Sequence, residues 1–591
     1  MAKRSERKLA VQENTSPGAS AEKSIFQILL SSVGLPLLLA AAVFLVYWPS
    51  LKSDFVYDAR LEIFKEGFIT SISNLPAVLS LKVLGMKLML GDRPGQLLYL
   101  MLNAAVWGKE PWGYHLSSNL LHAANVALLF VFLRRLIATE VRDLTGTYAL
   151  KAQLATVAVT LIFAVHPITV EPVSGISYSS DLLVTLFTLL ALLAATAFRS
   201  DNFRIAVVTG SVGTFCAFAA VICKESGLAT ALLLIVYWFL FRRREAKGPW
   251  LLFLGAATVV TAVFLTARFL FAPPPPSQNL LHYLGGSFFH VFLIQPRIWV
   301  FMMDKLLWPA HLSADYTLEN MSGLTTPLAL ALLVVVVALQ VWLAFRSQTG
   351  ALGVAIYWLG LVTVSNFTPL NRILADRFYY LPLTGVVMQL LALLLMTLRS
   401  RSGFWMGAAL LLGALLSLSL LSLTREKVFA SDFQLWTDTI QVSPSSFTAH
   451  NNLGNALLQN GQVDGAMIQY QKALEINPDY AEASNDLGWA LSLRGQLDEA
   501  ITHYQKALEI KPNYADARNN LGIALCRMEQ LDDGIIQFHK ALEINPNSAE
   551  THNNLGLALL QKGEVDEARK EFKTALQINP GYEKARKNLA R

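Results

Sequence analysis

The chain has 591 residues, 54% of them hydrophobic and 15% charged, with a formal net charge of +6. That composition is too apolar for an ordinary soluble protein, and the apolar runs crowd into residues 26–424, leaving 425–591 to read as a soluble helical segment. The positive excess sits largely in short Lys/Arg clusters between apolar stretches, so orientation in a membrane explains it and nucleic acid is excluded as the implied partner.

Residues 1–25 are polar and basic, without a short apolar core and a small-residue cleavage site. They read as a retained cytoplasmic tail leading into a signal anchor. A helix needs about 20 apolar residues to cross a bilayer. On that basis spans are predicted near 28–49, 115–134, 152–166, 181–198, 205–222, 226–241, 249–271, 325–345, 350–366, 378–398 and 404–424. The segment 291–309 carries Arg297, Asp304 and Lys305, each costly at mid-bilayer, and reads as an amphipathic helix at the membrane surface. With the N-terminus cytoplasmic, eleven spans place Arg134/Arg135, Arg199/Arg204, Arg242–Arg244, Arg346 and Arg399/Arg401 on the inner side. A twelfth span would put the last of these outside. Odd parity then brings 425–591 out on the extracytoplasmic face, the periplasm of a bacterial inner membrane or the lumen of the endoplasmic reticulum.

The outer loops, 50–114, 167–180, 272–324 and 367–377, collect the residues with chemical potential. The first holds Asp54, Asp58, Glu62 and Arg93 and ends at Tyr114-His115. His166 and Glu171 follow the third span, and Asp181 opens the fourth. Lys224-Glu225 separates the fifth from the sixth, and Asp376, Arg377 and Tyr380 precede and open the tenth. Acids, bases and imidazoles at the mouths of spans point to an outward-opening polar cavity; taken singly, each residue could instead anchor a helix end among headgroups. His115, Asn119 and His122 share one helix face. The two histidines lie two turns apart, about 10 Å, too far for one metal ion, so interhelical hydrogen bonding is the favoured reading. Cys216, Cys223 and Cys526 form no disulfide framework and no metal-ligand spacing.

After a linker at 425–444, proline recurs at 444, 478, 512, 546 and 580, a 34-residue period. Gly454, Gly488, Gly522 and Gly556 keep the same phase, as do Tyr470, Tyr504, Phe538 and Phe572. That is the period of tetratricopeptide (TPR) helical hairpins. Residues 445–591 therefore read as a TPR α-solenoid of four repeats and a capping helix, and the whole chain as all-α. Asn452, Asp486, Asn520 and Asn554 fall at equivalent places on the first helix of each repeat. They could grip the backbone of an extended peptide, or simply follow the usual asparagine before Leu-Gly in such repeats.

The order of motifs carries more. FVYD after span one, RP before span two, YHLSSNLLH at span two, HPITVEPV after span three, KE after span five, LLWPAHLSADY and ADRFYYLP are followed by the repeats. Over nearly its whole length the chain resembles the transmembrane and TPR-containing O-mannosyltransferases and their bacterial relatives, within the C superfamily of glycosyltransferases (GT-C). The resemblance implies a polytopic GT-C-like domain over 26–424. This domain would pass a mannose-like sugar from a polyprenyl- or dolichyl-phosphate carrier to protein Ser/Thr hydroxyls outside the cytosol, with inversion. It implies Asp58 as catalytic base and Arg377, Lys224 and Arg93 as the cations that hold the leaving phosphate. Glu62, His115, His166, Glu171, Asp181, Glu225, Asp376 and Tyr380 would be supporting polar groups. The array would bind the acceptor through Asn452, Asp486, Asn520 and Asn554. Besides the lipid-linked donor, the protein acceptor and membrane lipids, no cofactor is firmly predicted, and a divalent metal stays open without a ligand cluster to support it.

Three positions depart from the family pattern: Ala59 where a second acid is common, Thr169 where a second histidine is common, and Ser179/Ser180 in place of a basic residue before Asp181. Glu62 could replace the missing acid. The alternative these departures leave open is a membrane-anchored TPR scaffold without catalysis.

Overall fold

The computed structural model describes residues 34–56, 59, 68–86, 88, 90, 92–140, 146–271, 288–365, 374–397 and 400–590, and all regular structure among them is helical. Counting α-helices of seven residues or more, the N-terminal part runs α1 Gly34–Tyr47, α2 Pro94–Trp107, α3 Pro111–Glu140, α4 Gly146–Val165, α5 Ser179–Ala197, α6 Phe203–Cys223, α7 Leu228–Tyr237 and α8 Lys247–Phe271. It continues with α9 Phe288–Leu307, α10 Thr326–Arg346, α11 Gln348–Val362, α12 Tyr380–Thr397 and α13 Arg401–Val428. Ten of these, with their flanking turns, are long and apolar enough to cross a membrane, and α11 is a shorter apolar helix beside them. The predicted spans all fall on these eleven. The helix α9 is not among the ten. It buries Val291, Ile294, Ile298, Met302 and Leu306 on one stripe, while Phe289, Phe292 and Leu307 are exposed on the other, so its outer face is apolar as well.

Small residues set the closest approaches. A Cβ on Gly353 would lie 2.8 Å from the Gly385 carbonyl, so α11 and α12 meet backbone to backbone. In a bilayer, where the lipid tails are as apolar as the side chains, such packing is what drives helix association.

Contacts between helix ends sort the bundle into two ends. At one, Glu140 at the end of α3 accepts from the backbone N–H groups of Gln348 and Thr349 at 3.0 and 3.1 Å. Arg135 there donates to Thr196 at the end of α5, and Arg242 after α7 donates to the Thr196 carbonyl. At the other end lie the start of α3, the end of α4, the start of α5, the α6–α7 turn, the end of α8, the start of α12 and the end of α13. The alternation follows the odd-numbered count of spans.

The C-terminal part begins at that second end. A lead-in helix α14, Asp432–Val442, precedes four hairpins: α15 Phe447–Gln459 with α16 Val463–Ile476, α17 Ala481–Leu493 with α18 Leu497–Ile510, α19 Ala515–Arg527 with α20 Leu531–Ile544, and α21 Ala549–Lys562 with α22 Val565–Ile578. A last helix α23, Glu583–Leu589, packs on the end. The periodic glycines have a steric cause: a Cβ on Gly488 would sit 2.8 Å from the Tyr504 ring, and one on Gly522 2.7 Å from Phe538. The aromatic of the second helix occupies the room that the glycine of the first leaves open.

The array is tied to the membrane bundle by the loop between α9 and α10. Asp315 accepts from Ser446 Oγ at 2.6 Å and from the Thr448 hydroxyl, placing a carboxylate at the N-terminus of α15, where the helix dipole favours it. Asn320 Nδ2 donates to the Val442 carbonyl at 2.8 Å.

Candidate active site

Two predicted residues, Asp58 and Glu62, lie outside the described residues. Their neighbours are placed. Asp54 donates its backbone N–H to the Ala430 carbonyl at 3.3 Å, so the first outer loop meets the segment after α13. Its carbonyl lies 3.4 Å from His115 Nε2. Ala59 is fully buried in an apolar cluster with Phe55, Leu97, Leu100, Met101 and Tyr114. A carboxylate at 59 would enter hydrocarbon surroundings, which gives a physical reason for alanine there.

The predicted cations arrive paired. Arg377 donates from Nη1 to Glu171 Oε1 at 2.5 Å while its backbone N–H donates to Oε2 at 2.9 Å, so Glu171 grips both ends of the residue. The Arg377 guanidinium lies over the Tyr178 ring at 4.0 Å. Lys224 Nζ meets both oxygens of Asp181 at 2.7 and 2.9 Å. With Ser179 and Ser180 buried and uncharged before it, Asp181 thus draws its cation from another helix turn. Arg93 pairs with Glu225 at 3.3 Å. Sequence reading missed a fourth cation: Arg268, in the last turn of α8, bridges Glu225 at 3.2 Å and Asp92 at 2.6 Å. An arginine at the end of an otherwise apolar span is the signal that could have found it.

These pairs form one patch. Lys224 and Arg377 share the Phe378 ring, each 5.1 Å from its centroid. Burial lowers the affinity of Lys224 for its proton, opposed chiefly by Asp181, while Glu225 more than offsets the burial of Arg93 and holds its proton more tightly. Four cations face four carboxylates, so the patch is formally neutral yet dense in donors that suit an oxyanion.

A second layer braces it. His166 Nδ1 accepts from the Ile168 N–H at 3.2 Å and Nε2 donates to the Leu306 carbonyl at 3.0 Å, so the imidazole is neutral; burial pushes its pKa down to about 4. Thr169 donates to the His166 carbonyl at 2.6 Å and accepts from Tyr47 at 2.5 Å, a structural use for the residue that departs from the family pattern. His122 Nε2 donates to the Ala164 carbonyl at 3.0 Å, so Nδ1 must accept from Tyr380 Oη at 2.6 Å, and Tyr380 in turn accepts from Asn125. His122 and Tyr380 therefore hold helices together, while His115 meets the first outer loop at Asp54. Asp376 accepts from Tyr316 Oη at 2.7 Å and faces Arg425 at 3.5 Å, and Arg425 also reaches Asp438 of α14 at 2.8 Å. Glu426, buried beside it, accepts from Ser174 at 2.7 Å. Among the described residues no group of three or more His, Cys, Asp and Glu has the arrangement of a metal site.

In the array, the predicted acceptor residues stand in a ladder between repeats. Asn451 donates to Asp486, Asn520 to Asn485, Asn554 to Asn519 and Asn588 to Asn553, at 2.9–3.1 Å. Asp486, Asn520 and Asn554 thus spend part of their hydrogen-bonding capacity on stacking neighbouring repeats. Asn452 sits half-buried on α15. Burial raises the pKa of Asp486.

Comparison with known proteins covers both parts. Family models described as TPR repeat match residues 454–493 and 490–529, and one described as tetratricopeptide repeat matches 513–580. Similar curated proteins include Protein O-mannosyl-transferase F38B6.6 of Caenorhabditis elegans, 24% identical, covering 74% of this chain and 62% of that one. Protein O-mannosyl-transferase Tmtc3 of Drosophila melanogaster is 25% identical over 65% of this chain and 48% of its own length. Human Protein O-mannosyl-transferase TMTC3 is 22% identical over 74% and 50%. The chain thus spans about half to three-fifths of the length of these relatives. Among solved structures, MamA is 27% identical with a TM-score of 0.24, covering 27% of this chain and 93% of MamA. The three O-mannosyl-transferases and the repeat models support the resemblance that the motif order carries.

Proposed function

We propose, from this chain's kinship with the transmembrane and TPR-bearing protein O-mannosyl-transferases, that it is itself a membrane O-glycosyltransferase that acts on protein Ser/Thr hydroxyls. The donor is a sugar, mannose-like, on a polyprenyl or dolichyl phosphate, and transfer takes place on the extracytoplasmic face with inversion. The observation that carries the reading is the cation patch in which Lys224 and Arg377 share the Phe378 ring and Glu225 holds Arg93, at the bundle end from which the array emerges. A leaving phosphate needs cations held in a dry, fixed setting, and carboxylate partners keep these three in place until an anion competes for them. Arg377 is the leading phosphate ligand, because its planar fork can meet two phosphate oxygens at once.

In the step proposed, Asp58 takes the proton of the acceptor hydroxyl as its oxygen attacks the anomeric carbon. The bond from that carbon to the phosphate oxygen breaks, and the phosphate leaves with the electron pair towards Lys224 and Arg377. Attack from the face opposite the leaving group inverts the centre. The array contributes a high local concentration of acceptor rather than chemistry.

The test is Asp58→Asn in proteoliposomes supplied with polyprenyl-phosphate mannose and a Ser/Thr-rich peptide. Loss of general-base assistance should lower transfer by about 10²–10⁴-fold, with chromatographic behaviour and array folding unchanged. Wild-type rates in that variant would remove Asp58 from the mechanism. Absence of transfer by the wild type with every such donor would favour a scaffold.

A further inference from the structure

A cavity of about 780 Å³ opens between α9, α13, α14 and the loop 308–325, within the range of small-ligand and peptide pockets. Both parts of the chain build it. Phe301 and Lys305 come from α9, Thr424 and Arg425 from the last turns of α13, and Asp438 and Gln441 from α14, the helix that leads into the array. Pro167, next to His166, closes it on the side of the charged patch.

Its chemistry is mixed. Lys305 and Arg425 supply positive charge, Asp438 negative charge, and Asn320 and Gln441 supply amides that both donate and accept. Arg425 is 6% exposed, and its Nε has no hydrogen-bond partner among the described residues although both terminal nitrogens are engaged. A phosphate would ask for a surplus of cations, but Asp376 and Asp438 already balance Arg425, and Asp304 lies 3.6 Å from Lys305. An extended peptide asks instead for alternating donors and acceptors at near-neutral charge with apolar walls between them. Phe301, Leu421 and Val428 provide such walls.

We infer that this junction cavity is the channel in which an extended, hydroxyl-bearing segment of the acceptor protein lies between the array and the charged patch. The inference rests on the proposed transferase reading for its acceptor, but the site is separate from both the cation patch and the asparagine ladder. The helix α14 packs directly on α15 of the first repeat, and Pro167 belongs to the turn that packs against the Asp376–Tyr379 turn carrying Arg377.

The experiment uses the full-length chain in nanodiscs with a ten-residue Ser/Thr-rich peptide carrying a benzophenone at its centre. Cross-links should map to the 301–312 and 424–442 peptides. Gln441→Trp and, independently, Thr424→Trp fill the cavity from α14 and from α13; Thr424 and Gln441 are both exposed, so neither change disturbs the core. Each should cut cross-linking at least tenfold and raise the peptide KM by a similar factor, while slow hydrolysis of the sugar donor by water is unchanged. Unchanged KM and cross-linking in both variants would overturn the cavity assignment and leave the transferase reading standing. Cross-linking at the cavity without sugar transfer by the wild type would support the peptide site and sink the transferase reading. Competition by a short-chain polyprenyl phosphate but not by unlabelled peptide would overturn the assignment in favour of a lipid phosphate.

Discussion

The pairing of Arg377 with Glu171 separates a brace from an ordinary salt bridge. At 2.5 Å and an effective dielectric of about 20, the gross attraction is about 6–7 kcal/mol. Each ion loses several kcal/mol of hydration to be there, so the net worth of the intact pair is small. Breaking it is another matter, because Glu171 is only 1% exposed and would be left as an uncompensated buried charge. Arg377→Gln should therefore cost about 3–5 kcal/mol, with about 0.5–1 kcal/mol more from the lost stacking on Tyr178. Glu171→Gln should cost a comparable amount by stranding the guanidinium. The double variant places two amides opposite one another and should cost less than either single change. The assay is a double-mutant cycle by reversible unfolding in mixed micelles. Additive costs, with a coupling below about 1 kcal/mol, would refute the account and reduce the pair to a surface-type contact.

Gly522→Val drives a branched side chain into the Phe538 ring, where even a Cβ stands at 2.7 Å, and should lower array stability by about 1–3 kcal/mol in thermal melts. Asn519→Leu removes the acceptor for Asn554 Nδ2 and should cost about 1–3 kcal/mol, read as faster hydrogen exchange confined to the last two repeats. His166 carries a pH dependence. Its folded pKa of about 4 lies below the ordinary value of about 6.5, so the unfolded chain takes the proton first. The stability from its neutral form is complete above about pH 6.5 and is lost as pH falls towards 4, by up to about 3 kcal/mol. His166→Gln should flatten that slope in melts taken across the interval.

Much of the architecture could be read from the chain because its signals are local. A run of twenty apolar residues has few other uses, and a 34-residue beat of proline, glycine and aromatic specifies a stacked hairpin. The pairing within the charged patch was hidden for the opposite reason. Glu171 and Arg377 are separated by 206 positions, and nothing in either loop states that one carboxylate will hold both the side chain and the backbone of the other residue. Arg268 was hidden inside a stretch that reads as plain membrane helix. The helix Pro94–Trp107 was likewise absorbed into a long outer loop, since its 14 residues fall short of a span. The asparagines carry two uses at one period. Their periodicity shows that they face one direction, but a carboxamide that bonds the next repeat has the same period as one that bonds a peptide.

One consequence of the fold joins its two parts. Asp315 caps the first repeat helix, and the next residue, Tyr316, donates to Asp376. The residue after Asp376 is Arg377, the leading candidate for the leaving phosphate. Arg425 closes the same path from the other direction, since it touches both Asp376 and Asp438 of the lead-in helix. A tilt of the array that broke Ser446 from Asp315 would thus be felt two hydrogen bonds and two peptide units away, at the guanidinium itself. Under the proposed activity this has a mechanical use. Transfer needs the acceptor oxygen and the donor carbon held at near-attack distance, where an error of about 1 Å can cost 10²-fold. A handle free to swing would raise local concentration without providing that alignment. Tyr316→Phe keeps the ring and removes the hydroxyl that reaches Asp376. It should lower kcat for a peptide long enough to engage the array and leave donor hydrolysis unchanged. Equal rates for wild type and variant on such a peptide would show that the array delivers its acceptor without reference to the site.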